Sequence, residues 1–413
     1  NKFYPIICDL DALPFADYRN DNFVVIEDDK LERRDPLGSY YLSVGRGCPG
    51  KCTYCSTQQI MSKYRKSGLR YPTRRLRSIN NVIKELLRAK ELGFTSVHFY
   101  DDYLVGPWDY VLELFQRYKE EIALPFFCYL HYSQVQTHPE ILDAAVAAGL
   151  EHSACGIQHG GDEFARERFG RNIPFADLVH TANAYIQNGI VYNYDFITDI
   201  PIESEEDFRS QFDNLKRLPF SANHTRIGVS RLKVFPETEV ERLCSTLPRT
   251  DFADVSWTWK SCLIILRFLM DDAQFQEVLD NPYYREHPCA LLNNLPYYWA
   301  QYFIRTGESC LLENFNILQH VYEHHAMRYL NKGVFIWGTG SRFSRLRYIF
   351  TKNTILGFLD NDPAKQGTTV DGVEVYGPEA LAHLPQAPIF ICSVWKPVIF
   401  AQVSAIAPDR FMP

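Results

Sequence analysis

A chain of 413 residues with 46% hydrophobic and 23% charged content has ordinary globular usage and room for two or three domains. Its net charge of −7 argues against a general nucleic-acid-binding surface. No apolar run reaches the ~18–20 residues that span a bilayer, and no signal peptide opens the chain, so neither a membrane span nor export is expected.

In chain order, residues 1–35 read as a connector leading into a first strand, Tyr40 to Val44. A loop follows at once: Gly47-Cys48-Pro49-Gly50-Lys51-Cys52-Thr53-Tyr54-Cys55-Ser56. Its cysteines stand at C-x3-C-x2-C spacing. Three thiolates so close together can hold one metal centre but leave it one protein ligand short, and open positions are where metal sites do chemistry. Half of a structural zinc site would want a fourth Cys or His nearby, and the first one after Cys55 is His98. The remaining cysteines of the eleven do not read as a disulfide framework, which suits a reducing, cytoplasmic compartment. The basic run from Lys63 to Arg77 reads as a solvated face or an anion-steering rim.

Strands and helices then alternate. An amphipathic helix near Ile79 to Leu92, stopped by Gly93, precedes a strand, Ser96 to Phe99, that runs into the acids Asp101 and Asp102. A helix near Tyr110 to Ile122 leads to a strand at Phe126 to Leu130, and a helix at Pro139 to Ala148 to a strand at Ser153 to Ile157. A helix at Phe175 to Asn188 leads to a strand at Val191 to Ile197, and one at Glu205 to Leu218 to a strand at Ile227 to Val234. Six strands alternating with helices imply an α/β fold with a parallel sheet and right-handed crossovers. The period alone does not separate a barrel from a doubly wound sheet. Ligands of such folds sit at the C-terminal strand ends, which makes Asp101, Asp102 and Gln158 candidates.

The cysteine loop, with aromatic Tyr54 before its last cysteine, resembles the signature of the radical S-adenosylmethionine (SAM) superfamily. The resemblance implies a partial (βα)6 TIM-type barrel over residues 36–240. It also implies a 4Fe-4S cluster on Cys48, Cys52 and Cys55, with SAM as the ligand of its open iron and source of a 5′-deoxyadenosyl radical. Asp101 or Asp102 would take the SAM amino group, where the family often has Gly-Gly-Glu, and Gln158 the ribose, where it has Glu. Tyr54 counts among the cofactor-binding residues. His159 is expected to be a solvent-facing loop residue. Asp199 and Glu237 stand where similar segments of the family carry glycine, which puts the local backbone in question. An electron donor such as flavodoxin or ferredoxin is implied as partner. The stretch Cys8 to Tyr18 resembles the connector of cobalamin-associated radical enzymes, so cobalamin would follow if a domain precedes the chain, which opens at Asn1 rather than Met.

Residues 241–330 read as a helical segment, and Cys244, Cys262, Cys289 and Cys310 as structural cysteines. Residues 331–413 read as a small Rossmann-like domain. A strand ends in Gly338-Thr339-Gly340, and a second strand ends in Asp360, twenty residues after Gly340. That is the layout of a phosphate turn with a ribose-reading carboxylate. Phe343 replaces the third glycine and should push the following helix away. Arg342 and Arg345 would add positive charge.

Three functions stay open from the sequence. One is a cobalamin-associated radical SAM enzyme for methyl transfer or rearrangement on a natural-product or cell-envelope substrate. Another is a radical SAM enzyme limited to hydrogen abstraction. The third is a non-enzymatic iron–sulfur or zinc scaffold. No catalytic residue is assignable.

Overall fold

The computed structural model describes residues 4–17, 25–27, 30–32, 38–69, 71–102, 104, 106–221, 223–245, 254–306, 333–340, 343–344, 347–350, 354–392, 399, 402–403 and 405–406. The chain divides into two compact units, residues 1–219 with 232–248, and residues 220–231 with 249–413.

In the first unit, Ser39–Leu42, Ser96–Phe99, Phe126–Cys128, Leu150–Gln158 and Val191–Thr198 lie side by side in sequence order, every neighbouring pair parallel. The intervening helices follow from local chemistry. Helix Ile79–Glu91 begins where the Ser78 hydroxyl accepts from the Asn81 amide, and it buries Ile79, Val82, Ile83, Leu86 and Ala89. Full burial of Val82 and Leu86 contributes about 2 kcal/mol each. Helix Pro139–Ala148 starts on proline and stops at Gly149, which is left-handed at φ 106°. Ser204 and Asp207 form a capping box at the head of Glu205–Leu215. The helix expected near Tyr110 to Ile122 starts at Trp108 and ends as a single π-helical turn, Tyr118–Ile122.

Strand alternation sorts the two faces of the sheet. Tyr40 donates to Glu85 on helix Ile79–Glu91, and Tyr192 stacks on Tyr185 of helix Phe175–Gln187. The even-numbered residues of these strands therefore face the helices. The odd residue Tyr41 and, on the next strand, His98 stack at 4.8 Å on the inner face. There His98 contacts Phe127, Phe127 contacts His152, and His152 is 2.8 Å from Asn193 Oδ1.

The second unit contains the sixth expected strand, Thr225–Arg231. Among the described residues four helices follow, at Asp254–Leu269, Asp272–Asp280, Pro282–Glu286 and Pro288–Thr306. Cys262 is fully buried among them, and Cys310 lies outside the described residues. Further on, Gly333–Trp337, Thr354–Leu359, Val373–Tyr376 and Ile389–Ile391 form a parallel sheet, edged by antiparallel Thr369–Val370. Both its faces are covered. Val334, Ile336, Phe343, Phe358 and Phe390 pack on one, and Phe335, Trp337, Leu359, Leu381 and Ile399 on the other. Phe343 belongs to the first of these cores, its ring 4.9 Å from Phe358. Arg342 and Arg345 lie outside the described residues. Among the described residues no helix is long and apolar enough to cross a membrane.

Candidate functional site

The cysteine loop leaves the C-terminal end of the first strand and is tied down at several points. The Thr53 N–H donates to Phe169 O at 3.1 Å, its hydroxyl to Arg168 O at 2.6 Å, and its carbonyl accepts the Val240 N–H at 3.2 Å. Gly170 makes this approach close. Its φ is +65°, and a Cβ there would stand 2.8 Å from Lys51 O. Gln58, one turn into helix Ser56–Lys66, donates to the carbonyl of Gly50.

All three cysteines are half-buried free thiols. The Gly50 N–H donates to Cys48 Sγ at 3.3 Å. A Cβ on Gly50 would lie 3.3 Å from Cys48 Sγ and 3.8 Å from Cys52 Sγ, so the absence of a side chain keeps the space between these sulfurs clear. Cys55 is the N-cap of an eleven-residue helix. Among the described residues no group of three or more His, Cys, Asp or Glu side chains is gathered for a single metal ion. Three accessible thiols spread around one glycine-bearing loop fit a larger, thiolate-held cluster.

The strand ends supply the other groups. Asp101 spends both carboxylate oxygens on backbone, accepting from Val44 N at 2.9 Å and Gly45 N at 2.8 Å. Burial pushes its carboxyl up to about 6, against the pull of those two amides and the Arg46 charge. Asp102 is exposed. Both acids line a cavity of about 280 Å³ with Ser43, Arg46, Arg74 and Tyr100. Gln158 ends the fourth strand at φ 67°, with its amide folded over Gly156, where a Cβ would collide with it. Asp199 and Glu237, the residues in glycine positions, hold φ of 57° and 63°. The backbone conformation of glycine is kept there without the glycine, at a cost of about 1 kcal/mol or more each.

Tyr54 packs edge-on against Phe169 at 4.8 Å, and its hydroxyl is 3.4 Å from Arg171 Nη1. Burial pushes its phenol far above the ordinary range. Arg171 also reaches Cys52 Sγ at 3.9 Å and donates to the carbonyl of Gly156. Neither Arg171 nor Asp195 was singled out by sequence. Asp195 stands on the inner face of the fifth strand, in register with Gly156. Burial raises its carboxyl to about 6. Alternation of Asn193 and Asp195 with Tyr192, Tyr194 and Phe196 was the available signal. His131 begins the helix after the third strand, and burial followed by the Arg171 charge lowers it to about 4.

His159 does not face solvent. It is 2% exposed. Its Nδ1 accepts the Gly161 N–H at 3.0 Å, which makes Nε2 the donor to Glu203 Oε1, also at 3.0 Å. The pair joins the ends of the fourth and fifth strands.

In the second unit, Gly338 is left-handed at φ 102°, while a Cβ on Gly340 would meet nothing within 4 Å. Asp360 accepts the Thr339 N–H at 3.0 Å and hydroxyl at 2.6 Å, the Asp362 N–H at 3.1 Å and Lys365 Nζ at 3.2 Å. Burial would raise its carboxyl, but these donors together hold it below the usual range.

Residues 42–213 match the profile of the radical SAM superfamily. Among solved structures, the chain is similar to the radical SAM methyltransferase TsrM from Kitasatospora setae with cobalamin and a 4Fe-4S cluster bound. Identity is 19%, over 52% of this chain and 41% of that one, with a TM-score of 0.40. It is similar to the cobalamin-dependent radical enzyme OxsB with aqua-cobalamin and SAM bound, at 12% identity over 71% and 50% of the two chains, TM-score 0.43. It is also similar to coproporphyrinogen III oxidase (HemN) from Escherichia coli, at 15% over 50% and 46%, TM-score 0.36. The chain spans half or less of the length of each of these. No curated protein matches the sequence. With the three-cysteine loop inside the matched segment, residues 42–213 are a radical SAM domain.

Proposed function

We propose that the chain is a radical SAM enzyme whose Cys48, Cys52 and Cys55 hold a 4Fe-4S cluster. The observation that carries this reading is the loop itself: three half-buried thiols, two of them flanking Gly50, inside the radical SAM domain. When bound, the cluster supplies the electron that cleaves SAM into methionine and a carbon radical. The protein's own groups suit the rest of that molecule. Asp102, free of the backbone duty that occupies Asp101, is placed to accept from an ammonium. Gln158 and Asp195, from adjacent strands, offer acceptors for a ribose diol.

Methyl transfer or rearrangement on a natural-product or cell-envelope substrate is the finer reading, supported by the connector-like stretch before the barrel. Cobalamin use would require a cobalamin-binding domain. In the second unit we favour a structural role for Asp360, because four donors already fill its carboxylate. Gly338 and Gly340 remain the positions where a phosphate would approach.

The test is anaerobic reconstitution. About four irons and four sulfides per chain, an absorption band bleached by dithionite, and 5′-deoxyadenosine formed from SAM are expected. Zinc without sulfide, or a reduced cluster that leaves SAM intact, would overturn the reading.

A further inference from the structure

We propose that Arg171, helped by the Tyr54 hydroxyl, raises the reduction potential of a cluster bound at the three cysteines by acting on the Cys52 sulfur. The inference rests on the functional reading above and adds what sets the ease of reduction. Arg171 makes no salt bridge among the described residues. Its guanidinium has instead Cys52 Sγ at 3.9 Å, the Tyr54 hydroxyl at 3.4 Å and the carbonyl of Gly156. A half-buried cation without a carboxylate is costly unless an anion faces it. The group here that turns anionic on loading is Cys52.

The placement is fixed from several sides. The Arg171 N–H donates to Ala165 O at 2.9 Å, and residues 168–170 are laced to the cysteine loop through Thr53 and the close approach of Gly170 to Lys51. The backbone that carries the cation is thereby tied to the cysteine loop. Cys48 accepts from the amide of Gly50. Positive charge and hydrogen bonds at a cluster sulfur favour the state with one more electron, so they shift the potential upward. The electron comes from an external low-potential one-electron donor.

The experiment is a mediated spectroelectrochemical titration of the anaerobically reconstituted full chain, without SAM or substrate. Wild type, Arg171→Met, Arg171→Lys and Tyr54→Phe are compared at equal iron and sulfide content. Arg171→Met should lower the ratio of reduced to oxidised cluster at a fixed poise about tenfold, ~59 mV for one electron. Arg171→Lys keeps the charge and should stay near wild type. Tyr54→Phe keeps the ring against Phe169 and should move the same way as Met, by less. A fully loaded Met variant with the wild-type potential overturns the inference. If that variant does not load, a Tyr54→Phe potential equal to wild type overturns it. A wild-type chain that takes up no iron and sulfide overturns the functional reading instead.

Discussion

The two units use the same brace for different ends. In each, the loop after one strand is held by an acid at the end of the neighbouring parallel strand. Asp101 grips the Val44 and Gly45 amides ahead of the cysteine loop, and Asp360 grips the Thr339 amide and hydroxyl in the glycine turn. Asp101 has two neutral amides, burial wins, and its carboxyl rises to about 6. Asp360 adds a hydroxyl and a lysine, and its carboxyl is lowered. The difference lies in what remains unspent. Beside the first brace stand the cysteine loop and exposed Asp102. Around the second, the one group expected to read a ligand is used internally. An acid at the end of a strand is thus a structural statement first, and the partners of its oxygens decide whether it is also a chemical one.

The largest test removes the chemistry from the first region. Cys48, Cys52 and Cys55 changed together to Ala should abolish bound iron and sulfide, measured after reconstitution, while the fold persists by circular dichroism. Retained iron would place the cluster elsewhere.

Next comes the packing that the loop depends on. Gly170→Ala meets both a left-handed φ and a carbonyl at 2.8 Å, and should cost about 2–4 kcal/mol locally, seen as reduced iron loading and a lower melting temperature. Gly68→Ala, with φ +80° but open space around it, should cost only about 1 kcal/mol. Equal effects would show that the close approach of residues 168–170 is unimportant.

Asp360→Ala should lower the stability of the second unit by about 1–3 kcal/mol, because it leaves the Thr339 and Asp362 donors without their acceptor. An unchanged melt together with lost nucleotide binding would reverse the comparison.

Asp195→Asn has the smaller effect, and its sign depends on pH. The folded carboxyl sits at about 6 against an ordinary 3.8, so ionisation destabilises the fold. That cost is absent below 3.8, grows as pH rises, and is complete above about 6. The variant should match wild type near pH 3.8 and exceed it at pH 7 by roughly 2 kcal/mol, allowing for residual solvent. Denaturant melts across that range read the difference directly.

The strands and helices were legible because each obeys its own period and carries its own stop, as Gly93 and Gly149 do at φ 90° and 106°. The cysteines were legible because their spacing is local. Arg171 was not, since it reaches Cys52 from a loop with no periodicity of its own. His159 was misjudged for a related reason. Its partner, Glu203, lies on the next strand's loop, and only the fold brings the two within 3.0 Å. Asp199 and Glu237 show the reverse case, where a departure from glycine marked a real left-handed turn.

The bond from the Val240 amide to the Thr53 carbonyl has a consequence for biosynthesis. A ribosome releases the cysteines long before it releases Val240, and residues 168–170 emerge in between. Until residues 168–170 emerge the loop lacks both outer ties, and until Val240 emerges it lacks one. Iron–sulfur delivery that waits for the chain past residue 240 meets an ordered acceptor, whereas earlier delivery meets three free sulfhydryls open to oxidation. On the proposed cluster reading, the place of Val240 in the chain sets the point in synthesis at which the last of these ties can form.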